Sequence, residues 1–177
     1  MVKIYSVILI SFPLIFCFPK VASAYRVDWY VSRKYGIRFM IPGNWLKSTP
    51  NKFSRTALTI RNGVGAVATL TVDEKKSDFN YSVWQNKLNK NIIKRKFRKI
   101  SKTSIKLTGT INATVTNYNY KKKNLTSINF INSKFAYIFM FVCDTTSKNI
   151  DNTAMKAACE KSKKNFINFV QRIVLFK

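Results

Sequence analysis

The chain has 177 residues, with 32 Lys+Arg against 7 Asp+Glu and no histidine, a formal net charge of +25 at pH 7. Without histidine there is no Ser-His-Asp or Cys-His nucleophile system, no imidazole general base and no imidazole metal ligand. A charge of this size concentrates anionic partners at the surface and is weakened by salt.

The N-terminal stretch MVKIYSVILISFPLIFCFPKVASA sets Lys3 before an apolar run from Ile4 to Phe18 and closes with Ala22-Ser23-Ala24. That is the layout of a secretory signal peptide cut after Ala24. The apolar run, about fifteen residues, is short of the roughly 20 that a membrane span requires, which counts against the competing reading of an uncleaved anchor. Phe16, where lipidation signals place a small residue, counts against lipidation at Cys17. Residues 1–24 are therefore expected to be a leader and 25–177 a single domain, periplasmic or secreted, large enough to bury a real core. Taking Lys3 and Lys20 from the 32 basic residues leaves 30, so the exported chain keeps a formal +23. A coding bias toward A and T would enrich Lys, Asn, Ile, Phe and Tyr together, as here, but does not account for the scarcity of acids. Two cysteines remain, Cys143 and Cys159. In an oxidising compartment they are expected to form a disulfide, the alternative being two buried thiols.

Residues 25–32 alternate as a lead-in strand, and Gly36 marks a turn. Ile37, Phe39 and Ile41 then share one strand face, Arg38 and Met40 the other. Pro42-Gly43 fits the two central positions of a type II turn, and Trp45 is aimed back to cover the strand end. Phe53 to Arg61 reads as a strand, Asn62-Gly63 as a hairpin turn, and Val64 to Val72 as the partner strand. The period then changes. Asp78 or Asn80 can cap a helix whose apolar stripe is Trp84, Leu88 and Ile92, with Val83 and Ile93 beside it. The helix runs out in Arg95–Lys99. Lys99–Thr108, Thr110–Tyr120, Leu125–Ile131 and Phe135–Val142 read as antiparallel strands, separated by Gly109, a Lys121–Asn124 loop and an Asn132-Ser133 turn. From Asp151 a helix is predicted to the end, burying Ala154, Ala158, Phe166, Phe169, Val170, Ile173 and Val174. The expected fold class is α+β, one antiparallel sheet with helices packed on its faces.

Phe39, Ile41, Pro42, Gly43 and Trp45 form an aromatic-x-Ile-Pro-x-x-Trp pattern close to the expected mature N-terminus. With the order of elements that follows, the chain resembles the PsbP-like proteins and their bacterial relatives such as DcrB, over roughly residues 29–176. The resemblance implies an α/β/α sandwich in which Phe39, Pro42, Gly43 and Trp45 define a corner of the fold. It also implies a non-enzymatic binding or accessory role in an export compartment, with no catalytic residues to carry over. A Cys143–Cys159 bridge and the high basicity are departures from the family pattern.

The seven acids are Asp28, Asp73, Glu74, Asp78, Asp144, Asp151 and Glu160. Asp73 and Glu74 are adjacent at a strand end and would point to opposite faces, so a paired-carboxylate hydrolase is the weakest of the readings. There is no P-loop, dinucleotide glycine pattern, Cys-x-x-Cys or calcium loop, and no cofactor or metal is expected. The basic runs carry the functional expectation. Lys94, Arg95, Lys96, Arg98 and Lys99 end the middle helix, where cations also complement its dipole. Lys121, Lys122 and Lys123 form a loop, and Lys161, Lys163 and Lys164 lie on the last helix. If joined on one face they would bind an anionic membrane lipid, a lipopolysaccharide or an acidic protein. The alternative is a secreted nucleic-acid or polyanion binder that uses the same cations, with exposed Tyr118 and Tyr120 as stacking groups.

Overall fold

Strand β1 (Asp28–Ser32) and strand β2 (Ile37–Ile41) form an antiparallel hairpin in the computed structural model, which describes residues 28–48, 56–145 and 152–176. The leader with its cut after Ala24, Cys17, the starts of the 25–32 and Phe53 strands, and Asp151 lie outside the described residues. Alternation in β2 is as expected. Ile37, Phe39 and Ile41 are buried and Arg38 and Met40 are exposed.

The chain between these strands turns through Gly36 at φ +57°, where a Cβ would run into the Phe176 carbonyl oxygen. Gly36 is needed on both counts, since L residues avoid this φ and the approach leaves no room. That approach exists because the chain ends as a strand. The expected helix to the end stops at Gln171, and strand β10 (Val174–Leu175) pairs with Arg38 and Ile37 on the free side of β2. Phe176 N–H adds a bond to the Gly36 carbonyl at 2.9 Å. An open strand edge with unpaired backbone groups outcompetes one more helical turn.

The Pro42–Trp45 corner differs from expectation by one position. Trp45 N–H donates to the Pro42 carbonyl at 2.9 Å, so Gly43 and Asn44 are the central residues and Pro42 is the first. Its fixed φ continues the extended strand and does not bend it. Trp45 is buried, and its ring lies 6.3 Å from that of Phe141.

Trp45 opens strand β3 (Trp45–Ser48), the edge of a seven-stranded antiparallel sheet. The others are β4 (Thr56–Asn62), β5 (Val67–Glu74), β6 (Arg98–Lys106), β7 (Asn112–Tyr120), β8 (Lys123–Ile131) and β9 (Phe135–Asp144), in the spatial order β3-β4-β5-β9-β8-β7-β6. The β4–β5 hairpin has a longer loop than the two-residue turn expected. Gly65 takes the left-handed position at φ +76°, and β5 begins at Val67. Asn62 dictates this: its Oδ1 accepts from the backbone N–H groups of Val64 and Ala66, an Asx-type arrangement that needs the extra residues.

The two helices cover opposite faces of this sheet. Helix α2 (Asn152–Gln171) packs on the face that carries Tyr137, Phe139, Phe141 and Cys143, burying Met155, Cys159, Ser162, Phe166, Phe169 and Val170. Ala154 is exposed and Ala158 half-buried, so Met155 and Cys159 take the places expected of them. The small β1-β2-β10 sheet shares this layer. Phe39 reaches down between Phe139 and Phe169, 5.6 Å from each ring. Thr108 closes the helix C-terminus, its N–H and Oγ both donating to the Gln171 carbonyl, so orphan groups at the end of α2 are satisfied by a neighbouring loop.

Helix α1 (Tyr81–Lys94) lies on the other face and begins at Asn80, whose side chain accepts from Val83 N–H. Its inward residues are Tyr81, Gln85, Asn89 and Ile92, with Trp84 and Leu88 half-buried, whereas Val83 and Ile93 face solvent. The β7 and β8 positions beneath include Thr114, Thr116, Ser127 and Asn129 beside Leu125, so polar inward positions suit this surface better than a full apolar stripe. With a helix on each face and the chain in this order, the architecture is the α/β/α sandwich of the α+β class.

Candidate functional site

The basic runs meet at one end of the sheet. At the end of α1, Arg95 N–H bonds the Ile92 carbonyl and Lys96 N–H bonds the Ile93 carbonyl at 2.8 Å. Lys96 is left-handed at φ +69°, a cap position that glycine usually fills. The chain reverses there into β6, where Arg98 pairs with Asn119 and Lys99 with Tyr118. The β7–β8 turn of Lys121, at φ +53°, and Lys122 stands beside it. Phe97 and Tyr120 join the two segments, ring centroids 5.8 Å apart, and Lys121 Nζ lies 5.6 Å over the Tyr120 ring. Lys94, Arg95, Lys96, Arg98, Lys99, Lys121, Lys122 and Lys123 thus lie on the two segments that this aromatic pair joins. Asp144 also lies at this end, its carboxylate 3.5 Å from Lys123 Nζ. A surface recess of about 310 Å³ lies between Tyr120, the three lysines and Asp144.

Two apolar residues stand among these cations. Ile93 on α1 is 52% exposed, and Ile100, the extra residue of a bulge in β6 between Lys99 and Ser101, is 61% exposed. A bulge leaves one residue unpaired and re-aims it. The sequence pattern hides this, because Ile100 in a regular strand would be assigned inward.

The lysines of α2 do not form one face. At about 100° per residue, positions 161 and 164 are neighbours about 60° apart, whereas 163 lies about 160° from 161 and about 100° from 164. Lys161 and Lys164 are exposed, and Lys163 is half-buried with its Nζ 3.8 Å from Glu160. Their helix is tied to the basic end by the cysteines. Cys143, opposite Asn124 in the β8–β9 ladder, and Cys159 are both buried with sulfurs at disulfide distance and Cα atoms 5.9 Å apart.

Tyr118 is not a stacking group. It is 1% exposed, packs with Ile92 and Leu125 beneath α1, and donates its hydroxyl to Asn89 Oδ1. Burial raises its pKa, partly offset by hydrogen bonding. The alternation of β7 settles this, since Tyr118 shares a face with Thr114 and Thr116 under the helix. Tyr120 is half-buried against Phe97.

Along the outer side of the other layer runs a groove of about 530 Å³ between the small sheet and α2. Its residues carry no cluster in the sequence, and apart from Pro42, expected only as part of the fold's corner, none was singled out as a site residue. The signal was the alternation in GIRFMI, which sets Arg38 and Met40 away from the core. Among the described residues there is no group of three or more His, Cys, Asp or Glu side chains arranged to hold a metal ion, and no helix long and apolar enough to cross a membrane.

No family model matches the chain, and no curated protein matches it. Solved structures do. Cyanobacterial PsbP from Synechocystis sp. PCC 6803 is similar with a TM-score of 0.65 at 11% identity, over 88% of this chain and 96% of that one. A Pseudomonas aeruginosa protein of unknown function is similar at a TM-score of 0.46 and 14% identity, over 80% of this chain and 93% of that one. A Bacteroides thetaiotaomicron VPI-5482 protein is similar at 0.48 and 13%, over 84% of this chain and 48% of that one. The element order, the helix on each sheet face and the likeness to the cyanobacterial structure agree: this chain has the PsbP-like fold.

Proposed function

We propose that the protein is an exported, non-enzymatic binding module, residues 1–24 its leader and 25–177 its single domain, which docks through its basic end on an anionic envelope surface. The observation that carries this reading is the meeting of the α1 end with the β7–β8 turn through Phe97 and Tyr120, which brings segments with eight cations together, Asp144 lying beside Lys123. Exposed Ile93 and Ile100 among those cations favour a surface with both charge and hydrocarbon, a lipid or lipopolysaccharide layer, over a nucleic acid. Basic residues near an anionic membrane are worth about 1 kcal/mol each, and apolar residues add burial that salt does not screen.

The test is co-sedimentation with vesicles containing phosphatidylglycerol, and with a single-stranded oligonucleotide, each at two salt concentrations. The variant Lys121→Gln/Lys122→Gln/Lys123→Gln should weaken vesicle binding severalfold at low salt, and Ile93→Ser/Ile100→Ser should remove the part that survives high salt. Preference for the oligonucleotide would replace this reading with the polyanion-binding one. Indifference to both would leave an acidic protein as the partner.

A further inference from the structure

We propose that the groove between the small sheet and α2 is a binding site for a single-chain anionic amphiphile, an aliphatic chain bearing a phosphate head, distinct from the basic end. The groove has a volume of about 530 Å³, within the several-hundred-Å³ range of small-molecule sites. Its apolar surface comes from the two sides of the seam. Trp29 and Met40 stand opposite each other on the outward face of the β1–β2 hairpin, 54% and 39% exposed, and Phe169 closes the floor from α2. An exposed tryptophan beside an exposed methionine is apolar area that the fold leaves uncovered.

Two guanidiniums line the groove and would meet the head group. Arg38 projects from β2 between its cross-strand neighbours Val31 and Val174, and Arg172 follows the last turn of α2. Among the described residues no carboxylate lines the groove, and neither guanidinium has an ion pair or side-chain hydrogen bond. Asn165, Asn168 and Arg172 recur at spacings of three and four, so one side of α2 offers two amides and a guanidinium along the same wall. Arginine forks match phosphate in bidentate geometry. Two guanidinium forks lining an indole- and thioether-bearing trough select a ligand with a compact anion joined to hydrocarbon. A free phosphate would leave the trough empty, and a neutral chain would leave both arginines unanswered.

The probe is dodecyl phosphate below its micelle concentration, titrated into the purified protein and followed by tryptophan emission and calorimetry. Trp45 is buried and Trp84 donates to Asp73, so the blue shift on filling the groove should come from Trp29 and vanish in Trp29→Phe while calorimetric binding persists. Arg38→Gln/Arg172→Gln should bind at least tenfold more weakly, with an unchanged far-UV spectrum and with Arg38→Lys/Arg172→Lys partly restored. Inorganic phosphate and neutral dodecyl maltoside should each bind at least tenfold more weakly than dodecyl phosphate. Lys121→Gln/Lys122→Gln/Lys123→Gln should bind it within twofold of the unaltered protein, which separates this site from the basic end. Equal binding by the double arginine variant, by inorganic phosphate or by the neutral detergent would overturn the proposal.

Discussion

The two faces of the seven-stranded sheet come from the same strands, yet they are held to their covers by different means. Toward α2 and the small sheet, Phe39, Phe139, Phe141, Phe166 and Phe169 interlock with ring centroids 5.2 to 6.0 Å apart. Toward α1 the contact is mainly a relay of hydrogen bonds. Lys102 Nζ donates to Gln85 Oε1, Gln85 Nε2 donates to the Tyr81 hydroxyl, and that hydroxyl lies 3.3 Å from the Asn129 carbonyl. Trp84 Nε1 donates to Asp73, and the apolar part is the small Ile92–Tyr118–Leu125 group. Buried aromatic area stabilises without needing exact partners, whereas each polar contact gives a modest net gain and a penalty when broken. The first face should therefore carry most of the stability, and the second should fix where α1 and its basic end sit.

Truncating the aromatic face should have the largest effect. Phe139→Ala removes a ring that touches Phe39, Phe130 and Phe169 and should cost about 3–5 kcal/mol in urea unfolding. An equal loss from Leu88→Ala on α1 would erase the contrast. Next comes the tie between α2 and the sheet. Cys143→Ser/Cys159→Ser opens a link with a sequence separation of 16 and should cost about 3 kcal/mol in the chain-entropy model, read as a matching drop under reductant.

On the α1 face, Tyr118→Phe strips the donor from Asn89 and should cost only about 1 kcal/mol, with α1 amides losing hydrogen-exchange protection before those of β9. Tyr137 sharpens the point from the aromatic side. Its hydroxyl donates to the Tyr35 carbonyl and accepts from Asn132 Nδ2, and burial pushes its pKa up to about 12. Unfolded, that proton leaves near pH 10. The group's contribution is therefore fully present below pH 10 and is lost as pH rises through the folded value. Tyr137→Phe should be about 1–2 kcal/mol less stable at pH 7 and should decline less steeply above pH 10. The smallest effect belongs to the exposed Lys47–Asp28 pair, 2.9 Å apart, where Lys47→Met should cost under about 1 kcal/mol and less in high salt.

Much of the architecture was legible because the core follows simple periods. Ile37, Phe39 and Ile41 faced inward as alternation required, and the run from Phe135 to Val142 was apolar enough to be a central strand. The misreadings have local physical causes. At Pro42 the turn shifted by a residue because proline prolongs an extended strand as readily as it opens a bend. At Asn62 a side-chain oxygen captured two backbone N–H groups and lengthened the loop. Val83 and Ile93 were set beside the stripe because a wide apolar period was assumed where β7 and β8 offer Thr114, Thr116, Ser127 and Asn129. Val174 joined a strand because β2 offered a free edge, something no local window can display. At the candidate site, the two basic runs were visible as runs, but their meeting depends on Phe97 touching Tyr120 across separate strands. Ile100 emerged only through a bulge, and the Arg38–Arg172 groove joins residues far apart in sequence.

The pairing of Val174 and Leu175 with Arg38 and Ile37 has a temporal meaning. The third strand of the small sheet leaves the ribosome long after the two it joins, so this sheet closes only once nearly all of the intervening sequence has been made. Long-range closure of this kind slows folding. A nascent polypeptide that settles late stays threadable for longer, until the final lock at Gly36 and Phe176 is set.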